Sequence, residues 1–129
     1  MGYEYEIDVE RGLLVYRRYG RIEPGELSHS TDELIADEDF SKVDKIFVDL
    51  EDADFSAVPY NELVSYGEFS RENLRGGAIR MAMLAPVDLA FGIARVYGSF
   101  AAEADNVRAF RDKKSALEWL GIDEAEKRD

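Results

Sequence analysis

The sequence has no cysteine, a single histidine, only three prolines and no basic excess. Without cysteine there is no disulfide, thiolate metal site, cysteine nucleophile or redox dithiol. With His29 as the sole imidazole, an ordinary structural zinc site is excluded as well, and a bound metal would have to be a hard cation held by carboxylates. Sixteen Lys and Arg stand against 28 Asp and Glu, a formal net charge of −12. Phosphate-binding surfaces release counterions through clustered cations, so this balance argues against nonspecific binding to DNA, RNA or an anionic membrane. No apolar run approaches the roughly 20 residues needed to span a bilayer. The opening Met1-Gly2-Tyr3-Glu4-Tyr5-Glu6 lacks the basic and apolar regions of a signal peptide, and Glu at position 6 breaks a myristoylation pattern at Gly2. The expected location is the cytoplasm.

What is present is an ordinary folding composition. Hydrophobic residues make up 46% and aromatic residues 12% of the chain, too apolar for an acidic disordered segment. The length of 129 residues predicts one domain, residues 1–121, and a charged tail, residues 122–129. The charge is uneven: residues 1–69 hold 18 acidic and 6 basic side chains, while residues 70–129 hold 10 of each. One side of the molecule is therefore expected to be kept soluble by carboxylates, with the other free for contact.

Tyr3, Tyr5, Ile7 and Val9 alternate with Glu4, Glu6, Asp8 and Glu10, the period of a half-exposed strand. Arg11-Gly12 makes a turn into a second strand over residues 13–19, an antiparallel partner that would bring Arg17 or Arg18 beside the carboxylate row. Leu27, Thr31, Leu34 and Ile35 form one helical face over residues 24–36. Lys45-Ile46-Phe47-Val48-Asp49-Leu50 reads as a strand covered on both faces. A second helix is expected over residues 59–74, with Tyr60, Leu63, Val64 and Gly67 on one stripe and Arg75-Gly76-Gly77 as its stop. A buried strand follows at 78–85. A third helix at 87–104 carries Leu89, Ile93, Val96, Tyr97 and Phe100 inward, and a last strand lies at 106–110. The last helix, 112–120, has Asp112 as its cap and Gly121 as its end. The order is ββαβαβαβα, an α/β fold with largely parallel pairing through right-handed crossovers.

The opening Tyr-Glu-Ile-Asp hairpin, Phe47-Val48-Asp49-Leu50 leading to Asp54-Phe55-Ser56, Asp88-Leu89-Ala90-Phe91-Gly92-Ile93-Ala94-Arg95, and Phe110-Arg111-Asp112 with Ala116-Leu117-Glu118-Trp119-Leu120 together resemble bacterial proteins of the SpoIIAA-like, STAS/CRAL-TRIO group. The resemblance covers nearly the whole chain. It implies a mixed sheet in which an N-terminal hairpin precedes a right-handed β-α superhelix, a fold shared by anti-sigma-factor antagonists and the lipid-holding lobe of CRAL-TRIO proteins. Such regulators carry a phosphorylatable serine at a helix start, in an Asp-Ser-Ser-Gly-like motif after the third strand. This chain departs there, reading Glu51-Asp52-Ala53-Asp54-Phe55-Ser56-Ala57-Val58-Pro59-Tyr60. Ser56 is the one nearby hydroxyl that could serve as a phosphorylation site. A serine three residues before a helical proline is also a natural loop or capping group, and Asp52 and Asp54 would repel a phosphate.

In an open α/β sheet, ligands sit beyond the carboxyl ends of the parallel strands. Asp49, Asp52, Asp54 and Asp88 could gather there around Mg²⁺ or Ca²⁺, or supply a proton-transfer acid. The structural alternative, which no calcium-loop or acid-base motif opposes, is that Asp54 and Asp88 cap turns or helices and Asp49 fixes a loop. His29 lacks an identifiable nucleophile or orienting partner and reads as a solvated surface residue. Two glycines within residues 91–100 invite a reason such as close approach of a helix, a ligand or a second subunit. Phe91, Arg95 and Tyr97 would then supply an apolar wall and polar anchor.

The sequence thus supports a non-enzymatic regulatory or binding module first. Its candidate partner- or ligand-binding residues are Asp49, Asp54, Ser56, Tyr60, Asp88, Phe91, Arg95 and Tyr97, and its partner is another protein or a second copy in a homodimer. A carrier or sensor of a small apolar ligand, by analogy with CRAL-TRIO lobes, comes second and requires a cavity above about 300 Å³. No catalytic residue, cofactor or metal is expected.

Overall fold

The period of two at the N-terminus becomes an antiparallel hairpin of β1 (Gly2–Asp8) and β2 (Leu13–Arg21), with Tyr5 opposite Tyr16 and Glu4 opposite Arg17. Gly12, at φ +64°, closes it; a Cβ there would lie 2.7 Å from Asp44 Oδ1. The computed structural model describes residues 2–103 and 105–122. It continues with α1 (Glu26–Ile35), a short 3₁₀ turn at Glu38–Lys42 and β3 (Lys45–Asp54). Next come α2 (Tyr60–Asn73), β4 (Arg80–Leu84) and α3 (Asp88–Ala101), then β5 (Val107–Phe110) and α4 (Lys113–Leu120). The mixed sheet and its ββαβαβαβα order are those expected. The described strands form one five-stranded sheet in chain order, with β1–β2 antiparallel and every other pair parallel.

Strand parity divides the core in two. Leu14, Tyr16, Ile46, Leu50, Met81 and Met83 face α1, α2 and α3, which contribute Leu27, Leu34, Leu63, Ala90, Ala94 and Tyr97. Leu13, Phe47, Ala82 and Leu84 face the other way, against Ala116, Leu117 and Leu120 of α4. Successive parallel neighbours joined by right-handed crossovers put all their helices on one face, which leaves the opposite face to α4. The Asp112 carboxylate accepts from the Ser115 N–H at 2.8 Å, capping α4 as expected, and Gly121 ends the helix at φ +78°. Ile122, assigned to the tail in the sequence, is buried against α4, and its N–H donates to the Leu117 carbonyl at 2.9 Å. The rest of that tail lies outside the described residues.

Three expectations require correction. The strand over residues 45–50 runs on to Asp54. In α2 the buried residues are Leu63, Gly67 and Ser70, while Tyr60 is 66% exposed. In α3 they are Ala90, Ala94, Tyr97, Gly98 and Ala101, and Leu89 faces solvent. The reason is close helix approach. A Cβ on Gly67 would lie 2.8 Å from Phe100 Cβ and 3.1 Å from the Tyr97 carbonyl, so α3 must turn its small residues inward. Among the described residues no helix is long and apolar enough to cross a membrane.

Tyr3 and Tyr5 flank Tyr16 in a stack, at centroid distances of 5.8 and 5.9 Å. Tyr3 Oη donates to Glu33, and Tyr5 Oη donates to Asp37 at 3.0 Å, tying α1 and its exit to β1. The hydrogen bond to Glu33 pushes the Tyr3 phenol up to about 12, and burial followed by the Asp37 hydrogen bond does the same for Tyr5.

Gly67→Ala should destabilise the fold by about 1–3 kcal/mol through overpacking, measured by urea unfolding. The fold holds both phenols neutral, so their contribution is complete below pH 10, the ordinary tyrosine value, and is lost as pH rises through about 12. Thermal melts should therefore decline between those values, and the decline should be shallower in the Tyr3→Phe, Tyr5→Phe double variant.

Candidate functional site

The carboxyl end of β3 is shaped by a local hydrogen bond. Asp54 Oδ1 accepts from the Ser56 N–H at 2.9 Å, which turns the chain toward Pro59 and holds the Asp54 carboxyl below the usual carboxylate range. Pro59 then leads into α2 with φ −68°, a value its ring favours. One strand over, the chain leaves β4 through Pro86 and enters α3 at Asp88. Between these two helix starts lies an open groove of about 430 Å³ whose walls include Val58, Tyr60, Leu89, Ile93 and Val96. Gly92 forms part of it, and a Cβ there would meet no atom within 4 Å. Val87 and Leu89, 58% and 56% exposed, extend the apolar surface.

Tyr60 and Asp88 line this groove together, and the Asp54–Ser56 turn leads into it. Asp88 pairs with Arg111 at 2.7 Å, and the same guanidinium donates to the Pro86 carbonyl and lies 4.3 Å from the centre of the Phe91 ring. Phe91 is thus half-buried beside the groove, and Arg95 is exposed. Tyr97 is not on this surface. It is buried at 6% exposure, stacks on Tyr66 at 5.3 Å and has its phenol pushed up by burial. Asp49 stands apart on the α4 side of the sheet, where it accepts from the Glu51 N–H at 2.9 Å. The exposed His29 is also outside the site.

The aspartates do not converge. Asp52 is paired with Arg17 at 2.7 Å, Asp54 and Asp49 close turns, and Asp88 holds Arg111. Among the described residues no group of three His, Asp or Glu is placed to hold a metal ion. The sequence reading missed Val58 and Leu89 as groove residues, whereas Gly92 is one of the two glycines it singled out in this helix. The available signal was Pro86-Val87-Asp88 directly before Leu89, which places that leucine in the first turn of α3 beyond the sheet.

A second, partly open cavity of about 90 Å³ lies between the sheet and α1, α2 and α3. It is far below the roughly 300 Å³ of ordinary ligand pockets, and so is no chamber for a lipid.

No protein-family model and no curated protein matches the sequence. Solved structures do resemble the fold. One is an uncharacterised DUF3478-family protein with a SpoIIAA-like fold from Shewanella loihica, 18% identical, with 92% of this chain and 93% of that chain covered at a TM-score of 0.60. Another is the anti-sigma factor antagonist SpoIIAA in its unphosphorylated form, 17% identical, with 95% and 99% covered at a TM-score of 0.55. The chain therefore has a SpoIIAA-like fold.

If the groove is surface and not core, Leu89→Asn should shift stability by no more than about 0.5 kcal/mol. Leu63→Ala, at the buried base of the groove, should cost about 2–5 kcal/mol. Chemical denaturation of the two variants beside the parent chain measures both.

Proposed function

We propose that this chain, with its SpoIIAA-like fold, is a cytoplasmic, non-enzymatic regulatory module that docks a partner protein in the groove between the 55–59 loop and α3. The observation that carries the reading is the cluster of Tyr60, Val87 and Leu89, large apolar side chains more than half exposed around a concave site. Contiguous exposed apolar surface marks an interaction site, whereas single exposed residues are ordinary. Charge supports a particular occupant. Asp88 is almost wholly exposed at the groove beside its partner Arg111, Glu51 is exposed near the end of β3, and the chain carries −12. An amphipathic segment with an apolar ridge and basic flanks complements that surface. A second copy of this acidic chain is repelled by it, so a different protein is the better occupant than a homodimer. The likeness to an anti-sigma factor antagonist agrees with a role carried by a binding surface.

Ser56 belongs to this surface as the turn residue bonded to Asp54. A phosphate on it would face the ionised Asp54 and a further carboxylate at Asp52, a repulsive setting. The CRAL-TRIO analogy receives less support, because the cavity is too small for a lipid. A catalytic role has no support from the dispersed aspartates and the exposed His29.

Quantitative affinity capture with the parent chain, Tyr60→Ala, Leu89→Asp and a control His29→Ala tests the reading. At least one basic partner should be retained by the parent and the control and fall at least tenfold in both groove variants, with circular dichroism unchanged. The reading fails if no partner depends on both Tyr60 and Leu89. Sedimentation should show a monomer; a dimer dissolved by Leu89→Asp would reassign the groove to self-association.

A further inference from the structure

Among the described residues, one cation lies inside the fold without a counter-ion. In β2 the parity that turns Leu14 and Tyr16 toward α1, α2 and α3 also turns Arg18 inward, and Arg18 is only 4% exposed. Its Nη1 has no hydrogen-bond partner. Nη2 reaches only Tyr66 Oη, at a long 3.4 Å, and the guanidinium carbon sits 4.9 Å from the centre of the Tyr16 ring. None of the ion pairs among the described residues includes Arg18. None of the carboxylates on the neighbouring helices is paired with Arg18 among the described residues: Glu33 accepts from Tyr3, Asp37 from Tyr5 and Glu62 from the Gly25 N–H at 2.7 Å, Glu26 accepts from the Glu23 N–H through one oxygen while its other is buried without a partner, and Asp32, Glu68 and Glu72 are exposed. Arginine stays charged throughout the physiological pH range, and a buried charge without a partner is heavily penalised.

Arg18 lines the cavity of about 90 Å³. The Tyr16 hydroxyl, on the same cavity, is buried with no partner in hydrogen-bond geometry among the described residues; the neighbouring Ser30 hydroxyl donates to the Leu27 carbonyl. Thr31 and Tyr66 bond to each other at 2.6 Å. The remaining wall is largely apolar, with Leu27, Leu63, Met81 and Met83 among its residues. The cavity thus offers an unused cationic donor, an unused neutral hydroxyl and a hydrocarbon lining. Water could satisfy the hydroxyl, but water leaves the charge uncompensated.

We propose that this cavity is a binding site for a small monocarboxylate, with its carboxylate paired to Arg18 and its short hydrocarbon tail among the leucine and methionine side chains. The volume sets the tail length. A cavity of roughly 150 Å³ accommodates benzene, so the smaller space here suits acids from acetate to butyrate. The site lies behind the α2–α3 groove, with Leu63 and Ile93 as walls common to both, and it makes the chain responsive to a metabolite acid.

The test is isothermal titration and amide NMR of the full chain with acetate, butyrate, octanoate and the neutral isostere butanamide. Butyrate should bind saturably and shift the amides of Arg18, Thr31 and Tyr66. Butanamide should bind at least tenfold more weakly, and octanoate no more tightly than butyrate. Arg18→Met should weaken butyrate binding at least tenfold, while Tyr60→Ala and Leu89→Asp leave it unchanged, so the groove and the cavity stand or fall separately. Equal binding of butanamide and butyrate, undiminished binding in Arg18→Met, tighter binding of octanoate, or no saturation by any carboxylate overturns the proposal. The comparison of butyrate with butanamide uses only the parent chain and decides the question even if Arg18→Met does not fold.

Discussion

The architecture depends on one topological constraint: every strand pairs with its neighbour in the chain. From β2 onward these pairs are parallel, and right-handed returns between adjacent parallel strands cannot alternate faces. Three helices consequently crowd one side of the sheet, while α4 has the other side largely to itself. Both candidate sites belong to the crowded side. The groove lies where α2 and α3 begin, and the cavity lies where α1, α2 and α3 fail to fill the space above the sheet.

Crowding is resolved by size. Gly67 admits the backbone of α3, and α3 answers with Ala90, Ala94, Gly98 and Ala101 on its inner face. A helix that turns its small residues inward must carry its large ones elsewhere, and Leu89 is displaced to solvent as a result. The apolar groove is therefore coupled to the packing beneath it. The same crowding isolates Arg18: its strand position is fixed by the hairpin register, so its guanidinium is enclosed by helices none of whose described carboxylates pairs with it.

Much of the fold was legible because it rests on local rules. The hairpin follows from strict alternation through Tyr3, Tyr5 and Ile7, and the end of α4 follows from Asp112 and Gly121. The inner face of α3 was not legible by the same means. Leu89, Ile93 and Val96 give a stronger hydrophobic periodicity than the alanines and glycine that are actually buried, and small residues report close approach only when the opposing helix is known. For the site, Tyr60 was drawn from the loop that stands where the resembling regulators carry their serine, and Asp88 from the expectation that ligands meet the carboxyl ends of parallel strands; the groove brings the two together. Tyr97 was drawn from the same segment but points inward, because helical neighbours diverge around the axis. Arg18 could have been recognised from parity alone, since it shares its face with Leu14 and Tyr16, while Arg17 shares the opposite face with Leu13.

The outer edge of β1 has a further consequence. As the first strand of the sheet it has no neighbour on one side among the described residues, and such an edge can template the growth of a sheet by added chains. Here Glu4 and Glu6 project from it in alternation, both exposed. A second copy aligning there would bring like charges alongside one another, at a cost that salt or acid would reduce. The carboxylates that first appeared as an excluded affinity for nucleic acid thus act as a guard against edge-to-edge polymerisation. They leave association to the faces of the molecule and not to its backbone.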